Sequence, residues 1–375
     1  GDDFITNTGA ALVIAGNGSG NLDIIQTANN ITVGSLNAGA FGAPPLPSAI
    51  TGAAQTGLTG TGAGKTISLT SITSGDVIVS NAVATNAGDI GLVAAGAINL
   101  GASITAGAAN GAQVVDLVAR GGAITRTAGT VTAGNVAVDS TAGIGAATAG
   151  NRLQTSTSNL QLGGLAVGGT PIVNTGSDFI ENVGAVAAVV SGTTLNGNID
   201  ITQAGANLTV GTFASGIGTF APAAITTSAR VGLAPGTAGN AVSLVSVGSG
   251  NLIVANNITT LGGDIGLVSA SSISLAADIT TGATGGASLV DLIALGGSIS
   301  RTAGTVTAGN VALSATTGIG TILSRVQTST SNLQLGGLSV NTVAATNAGD
   351  DFVANVGGVP LVLAGVNAGG DIDVT

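Results

Sequence analysis

Carboxylates are the one chemically capable side chain that this sequence offers in any number. Seventeen Asp plus Glu stand against seven Lys plus Arg, and His, Cys, Met, Trp and Tyr do not occur. The chain therefore has no imidazole base, no thiolate nucleophile and no soft-metal ligand. Oxygen-rich turns can still hold a hard cation. The calcium candidates are Asp2, Asp3, Asp178, Asp350 and Asp351, all in turn-like settings, with Asp89 and Asp264 at matching positions of a repeat. Calcium-binding β-rolls use tandem GGxGxDxUx repeats, and that pattern is missing, so the competing reading is that these carboxylates accept turn hydrogen bonds and keep the surface solvated. The residues give no catalytic assignment and no cofactor beyond this calcium possibility.

Two further motifs lose their chemistry on inspection. The run GTGAGKT at 60–66 has three residues between its first Gly and Gly-Lys-Thr, where a phosphate-binding loop needs four, and it reads as a corner. The Thr-x-Thr triplets at 155–157 and 328–330 would need to recur once per coil to form an ice-binding ladder, and they are isolated. Asp116 and Asp291 lie at equivalent outward positions, and an ion pair with Arg126 and Arg301 is expected to contribute roughly 0–1 kcal/mol. A net charge of −10 without a basic run excludes nucleic acid as a partner. Apolar runs such as 183–190 are far shorter than the ~20 residues of a spanning helix, which argues against membrane insertion.

The elements that position these residues follow from an internal repeat. The segment 126–137 (RTAGTVTAGNVA) recurs identically at 301–312, and 154–165 (QTSTSNLQLGGL) recurs at 327–338, offsets of 175 and 173 residues. The phrase around Phe4 returns around Phe179 and Phe352. The organisation is therefore one repeat over 1–175, a second over 176–348 and the start of a third over 349–375. A chain that opens at Gly1 and stops inside a third repeat reads as a piece of a longer mature protein. Within each repeat, Gly, Asn or Asp precedes short alternating apolar runs, as at GDIGLV, GNVAV and SNLQL, at intervals of roughly 22–26 residues.

Sixty-four glycines, β-branched enrichment and no 3.6-residue stripe exclude a helical fold. The expected fold is all-β, a parallel β-helix (β-solenoid) with three short strands per coil. In the coil that opens at Gly88, the inward residues are Ile90 and Leu92, Ile98 and Leu100, and Ile104 and Ala106. Coils stacked at about 4.8 Å give ~35–40 Å per repeat. Val114 and Val118, with Leu289 and Ile293 in the second repeat, fall on the outward face, either as a lateral seam between fibres or beneath a local loop. Each repeat also holds one Pro-bearing lateral loop, 35–64 with Phe41 and 212–240 with Phe213 and Phe220. These Phe residues either cap a coil or form a contact site.

Segments such as GDIGLVAAGAINLGASITAG, GGAITRTAGTVTAGNVAV and GGDIGLVSASSISLAADITTG resemble the repeats of filamentous-haemagglutinin-type exoproteins and related giant bacterial β-helix adhesins. The resemblance implies a right-handed coil, an extracellular or bacterial cell-surface location, and a role in attachment, aggregation or biofilm. Three functions follow as expectations. The first is a structural or adhesive module of a long fibre, not an enzyme, whose partner is itself by head-to-tail stacking or in-chain repetition, with any host or surface receptor left open. The second is a calcium-stabilised surface-layer or matrix module. The third, remote because glycoside cleavage needs two placed carboxylates and these enzymes add aromatic subsites, is a polysaccharide-processing β-helix enzyme.

Overall fold

The computed structural model describes residues 1–36, 53–213 and 225–375. Phe41 and Phe220, and with them part of each lateral loop, lie outside the described residues. The chain divides into two compact units, the first of 1–157 and 163–173 with 225–228 among its described residues, the second of 158–162, 174–213 and 229–375.

Both units are parallel β-solenoids with three short strands per coil. In the first unit one column stacks Asp3–Asn7, Leu22–Gln26, Ile67–Ser71, Ile90–Ala94, Val114–Ala119 and Asn135–Ser140. A second stacks Leu12–Ile14, Ile31–Val33, Val77–Val79, Ile98–Leu100 and Ile124–Arg126. The third stacks Gly16–Gly18, Leu58–Ala63, Val83–Asn86, Ile104–Ala106, Val131–Thr132 and Leu153–Ser156. The register places like on like: Ile67 beside Ile90 beside Val115, and Val77 beside Ile98 beside Ile124. The coils that carry these residues follow one another at 21–26 residues, whereas Asp3 to Leu22 spans 19 and the coil with the lateral loop, Leu22 to Ile67, spans 45. Ile90, Leu92, Ile98, Leu100, Ile104 and Ala106 are all buried, as their alternation requires. The second unit repeats the plan, with Ile199–Ala204, Val242–Val247, Ile265–Ser269, Leu289–Ala294, Asn310–Ala315 and Asn332–Leu335 in one parallel column.

The identity of 126–137 and 301–312 has a backbone cause. Gly129 and Gly304 both sit at φ +79°, and a Cβ there would overlap the chain of the preceding coil at Ala102 and Ala277. At Gly134 and Gly309 a Cβ would overlap the Gly111 and Gly286 carbonyls. Strand starts are held by a ladder of Asn and Asp side chains. Asn21 Oδ1 accepts the Thr66 amide at 3.0 Å, Asn30 Oδ1 the Asp76 amide at 2.9 Å, and Asp76 Oδ1 the Ala97 amide at 2.8 Å. Asn207, Asn251, Asn257 and Asp278 do the same in the second unit, for Asn251, Ser272, Asp278 and Thr305. Each side chain reaches an amide one coil onward, so the turn residues tie neighbouring coils together and satisfy donors that the wall leaves unpaired.

The lateral loops are shorter than their sequence limits. Leu58–Ala63 and Leu233–Pro235 are wall strands, not loop. Each loop leaves the wall through an antiparallel stem, Ser35–Leu36 on Gln55–Thr56 and Thr212–Phe213 on Arg230–Val231. Pro235 is tolerated in the wall because it ends its strand.

Candidate interaction surface

The outward face of the first unit is covered. Val93 lies beside Val118, and Ala137, opposite Asp116 on the next strand, joins them in an apolar cluster with Leu165 and Ile225, against which Val167 and Ile172 pack. The cover is a small antiparallel sheet that we call the flap. Leu165–Val167 forms a hairpin with Thr170–Pro171 through Gly168 and Gly169, both at positive φ, and Ile225–Thr227 adds as a third strand. The third strand pairs Val167 with Ile225, Ala166 with Thr226 and Leu165 with Thr227. The Ser228 amide and hydroxyl then both donate to the Gly164 carbonyl, at 2.9 and 3.0 Å. Asp139 anchors the hairpin by accepting the Leu165 amide at 3.1 Å.

This cover decides one open alternative, burial beneath a local loop, and corrects two expectations. Val114 and Val118 are 2% and 0% exposed and form no exposed seam. Asp116 is not a surface carboxylate: it is fully buried, both of its oxygens lack a hydrogen-bond partner, and burial, then the nearby Asp89, pushes its carboxyl well above the usual range. The ion pair with Arg126 does not form. Arg126 donates to the Gly129 and Gly150 carbonyls and to Gln154, and Arg301 to Gly304 and Gln327. Phe213, 2% exposed in its loop stem, is packed inside and offers no contact surface.

The second unit carries the same hairpin with no third strand among the described residues. Ser339–Val340 pairs with Val343–Ala344 through Asn341 and Thr342, both at positive φ. The equivalents of the covered positions are more open. Val268, Leu289, Asp291 and Leu338 are half-buried where Val93, Val114, Asp116 and Leu165 are buried, and Ile293 and Ala312 each retain 5% exposure. Burial, then Asp264, raises the Asp291 carboxyl, less than for Asp116.

The calcium candidates are dispersed. Asp2 is exposed, accepts the Asn21 amide at 2.8 Å and pairs with Lys65 at 3.7 Å; the Asn21 hydrogen bonds and Lys65 hold its carboxyl below the usual range against partial desolvation. Asp3 is exposed at a strand start. Asp178 and Asp351 are buried and accept Asn174 Nδ2 at 2.8 Å and Asn347 Nδ2 at 2.6 Å, while Asp350 is exposed and accepts the Asp371 amide. Among the described residues no group of three or more acidic side chains converges. Asp89 and Asp264 accept the Val114 and Leu289 amides at 2.8 and 2.9 Å. Gly60–Thr66 lies on a wall strand and its following turn, and Thr155, Thr157, Thr328 and Thr330 are buried.

The flap was missed by sequence reasoning. Its one available signal is the match between Leu-Ala-Val at 165–167 and Leu-Ser-Val at 338–340, each followed by a two-residue turn. Comparison with family models, with curated proteins and with solved structures finds no match.

Proposed function

We propose that this chain is a structural and adhesive module of a long extracellular bacterial fibre, extended by stacking solenoid coils head to tail. The observation that carries the reading is the in-register stacking of coil on coil, Leu22 beside Ile67 beside Ile90 beside Val115 beside Val136, in which each strand edge is met by the neighbouring coil. A parallel strand edge is a template for another strand. A contact between unlike surfaces does not close on itself and makes filaments. The coil interior is continuous Val, Ile and Leu, so each added coil buries its neighbour's face.

The chemistry is in keeping with this. The side chains are mainly hydroxyls, amides and carboxylates, and among the described residues no group of three or more acidic side chains converges. Right-handed winding, surface attachment and a role in aggregation or biofilm belong to the same proposal, supported by the repeat resemblance. Sedimentation velocity across a hundredfold concentration range tests it. Species that grow without limit are expected, and a monomer or a closed dimer at every concentration would overturn stacking between chains.

A further inference from the structure

We propose that the flap of the first unit is a lid that lies shut over a protonated Asp116 and lifts when this carboxylate ionises, so that rising pH uncovers the apolar face beneath it. Such a switch does not depend on whether copies of the chain stack.

Asp116 lies on the outward face of its strand, between Gly91 and Ala137 on the neighbouring strands, yet it is fully buried and neither oxygen has a hydrogen-bond partner among the described residues. Ala137 and Val118, next to it on the same face, are held under Leu165 and Ile225. The flap strands Leu165–Val167, Thr170–Pro171 and Ile225–Thr227 contain no ionisable side chain that could balance a charge. The charged groups on the other described elements around Asp116 do not balance it either. Asp89, ahead of the preceding strand, has the same sign and accepts the Val114 amide, and Asp139, on the following strand, accepts the Leu165 amide. Arg120, at the end of the strand of Asp116, is exposed, and Arg126 donates to Gly129, Gly150 and Gln154. A buried carboxylate ion without a partner is strongly unfavourable, whereas the neutral acid is tolerated. Burial, then Asp89, accordingly holds this carboxyl well above its ordinary range.

Ionisation acts on the flap sooner than on the wall because the flap is held by less. The strand of Asp116 pairs along both edges, with Ile90–Ala94 and Asn135–Ser140, and its inward Val115, Leu117 and Ala119 are fully buried. The flap is held by the apolar cluster, by Asp139 on the Leu165 amide and by Ser228 on the Gly164 carbonyl. At its root Gly163 and Gly164 stand at φ +70° and +83°, two adjacent residues without side chains about which the hairpin can swing. The sign is fixed by where the proton binds more tightly. Asp116 holds its proton more tightly under the shut flap than when lifted into water, so the shut state is fully favoured below the ordinary carboxylate range and is weakened as pH rises toward the raised value. The ratio of lifted to shut molecules grows by up to tenfold per pH unit inside that window. In the second unit Asp291 is half-buried, and its carboxyl is raised less, so the hairpin Ser339–Ala344 has the weaker dependence on pH.

Amide hydrogen exchange of the purified chain from pH 5 to 8, with each rate divided by its intrinsic value at that pH, tests the lid. Peptides covering 164–173 and 225–228 are expected to lose up to tenfold in protection per pH unit. They should also be less protected than the wall strands Ile98–Leu100 and Ile104–Ala106 at every pH, and low urea should speed the wall without speeding the flap, because local opening exposes little surface. In Asp116→Asn, which cannot ionise, flap protection should stay constant with pH. In Asp139→Asn, which keeps an oxygen for the Leu165 amide, the fall should remain. Constant flap protection in the unmodified chain would overturn the proposal, as would an undiminished fall in Asp116→Asn. Loss of the fall in Asp139→Asn alone would assign the titration to that residue and not to Asp116. Flap and wall with equal protection and equal response to urea would mean that the coil opens as a whole and that there is no lid.

Discussion

Replacing Asp116 by Asn removes a charge from the most unfavourable place a described carboxylate occupies. Asp116 stands between Gly91 and Ala137, is fully buried on the flap-covered face, and has no hydrogen-bond partner at either oxygen. Burial, then Asp89, raises its folded-state carboxyl well above the ordinary 3.8. The sign follows from linkage. Between the unfolded value near 4 and the raised folded value, the native state holds a proton that the unfolded chain has lost, so stability falls as pH rises through that window and stays low above it. The slope is about 1.4 kcal/mol per pH unit within the window. Asp116→Asn is therefore expected to gain about 1.4 kcal/mol for each pH unit above the unfolded value, up to the raised folded value, and nothing near pH 3.5. At about 2–4 °C per kcal/mol for a unit of this size, thermal unfolding should show a rise of several degrees at pH 7. The assay is circular dichroism melting of both proteins from pH 3.5 to 8. Asp23, Asp89, Asp291 and Asp351 are also raised and are common to both proteins, so the difference between the two curves reports Asp116 together with its coupling to Asp89. A difference that does not widen with pH, or a variant less stable at pH 7, would refute the argument.

Other expectations follow from the same geometry. Leu92→Ala, at a fully buried position of the coil interior, should destabilise by about 2–5 kcal/mol in urea unfolding. Asn251→Ala removes the acceptor of the Ser272 amide and should lower stability by about 1 kcal/mol in the same assay, whereas a change at exposed Leu323 should be neutral within about 0.5 kcal/mol. Thr342→Gly replaces a β-branched residue held at φ +68° and should raise the melting point slightly, since the first unit uses Gly169 in that place. Millimolar calcium and chelator should leave the melting point equal, because the candidate carboxylates are dispersed; a rise with calcium would favour the surface-layer alternative.

The coil was legible because its cause is local. Alternation at Ile90, Leu92, Ile98 and Leu100 marks an inward face whatever surrounds it, and glycines such as Gly129 record where one coil's backbone nears the next. The surface was not legible for the complementary reason. Alternation sorts Val118 and Asp116 to the outward face correctly, but outward equals exposed only when nothing returns over the wall. The strand that closes the cover, Ile225–Thr227, lies more than 100 residues further on, beyond the reach of any pattern in the covered strand. The turn carboxylates were legible as hydrogen-bond acceptors, while their recipients, amides one coil onward such as Val114 for Asp89, depend on stacking register. Pro235 misplaced a loop boundary because a proline at the end of a wall strand looks in sequence like one in a loop.

Negative-stain electron microscopy of the purified 375-residue chain tests the central claim most directly. Filaments many times the length of one molecule, lengthening with concentration and unaffected by chelator, are the predicted result. A uniform field of single particles at every concentration would contradict head-to-tail extension between copies.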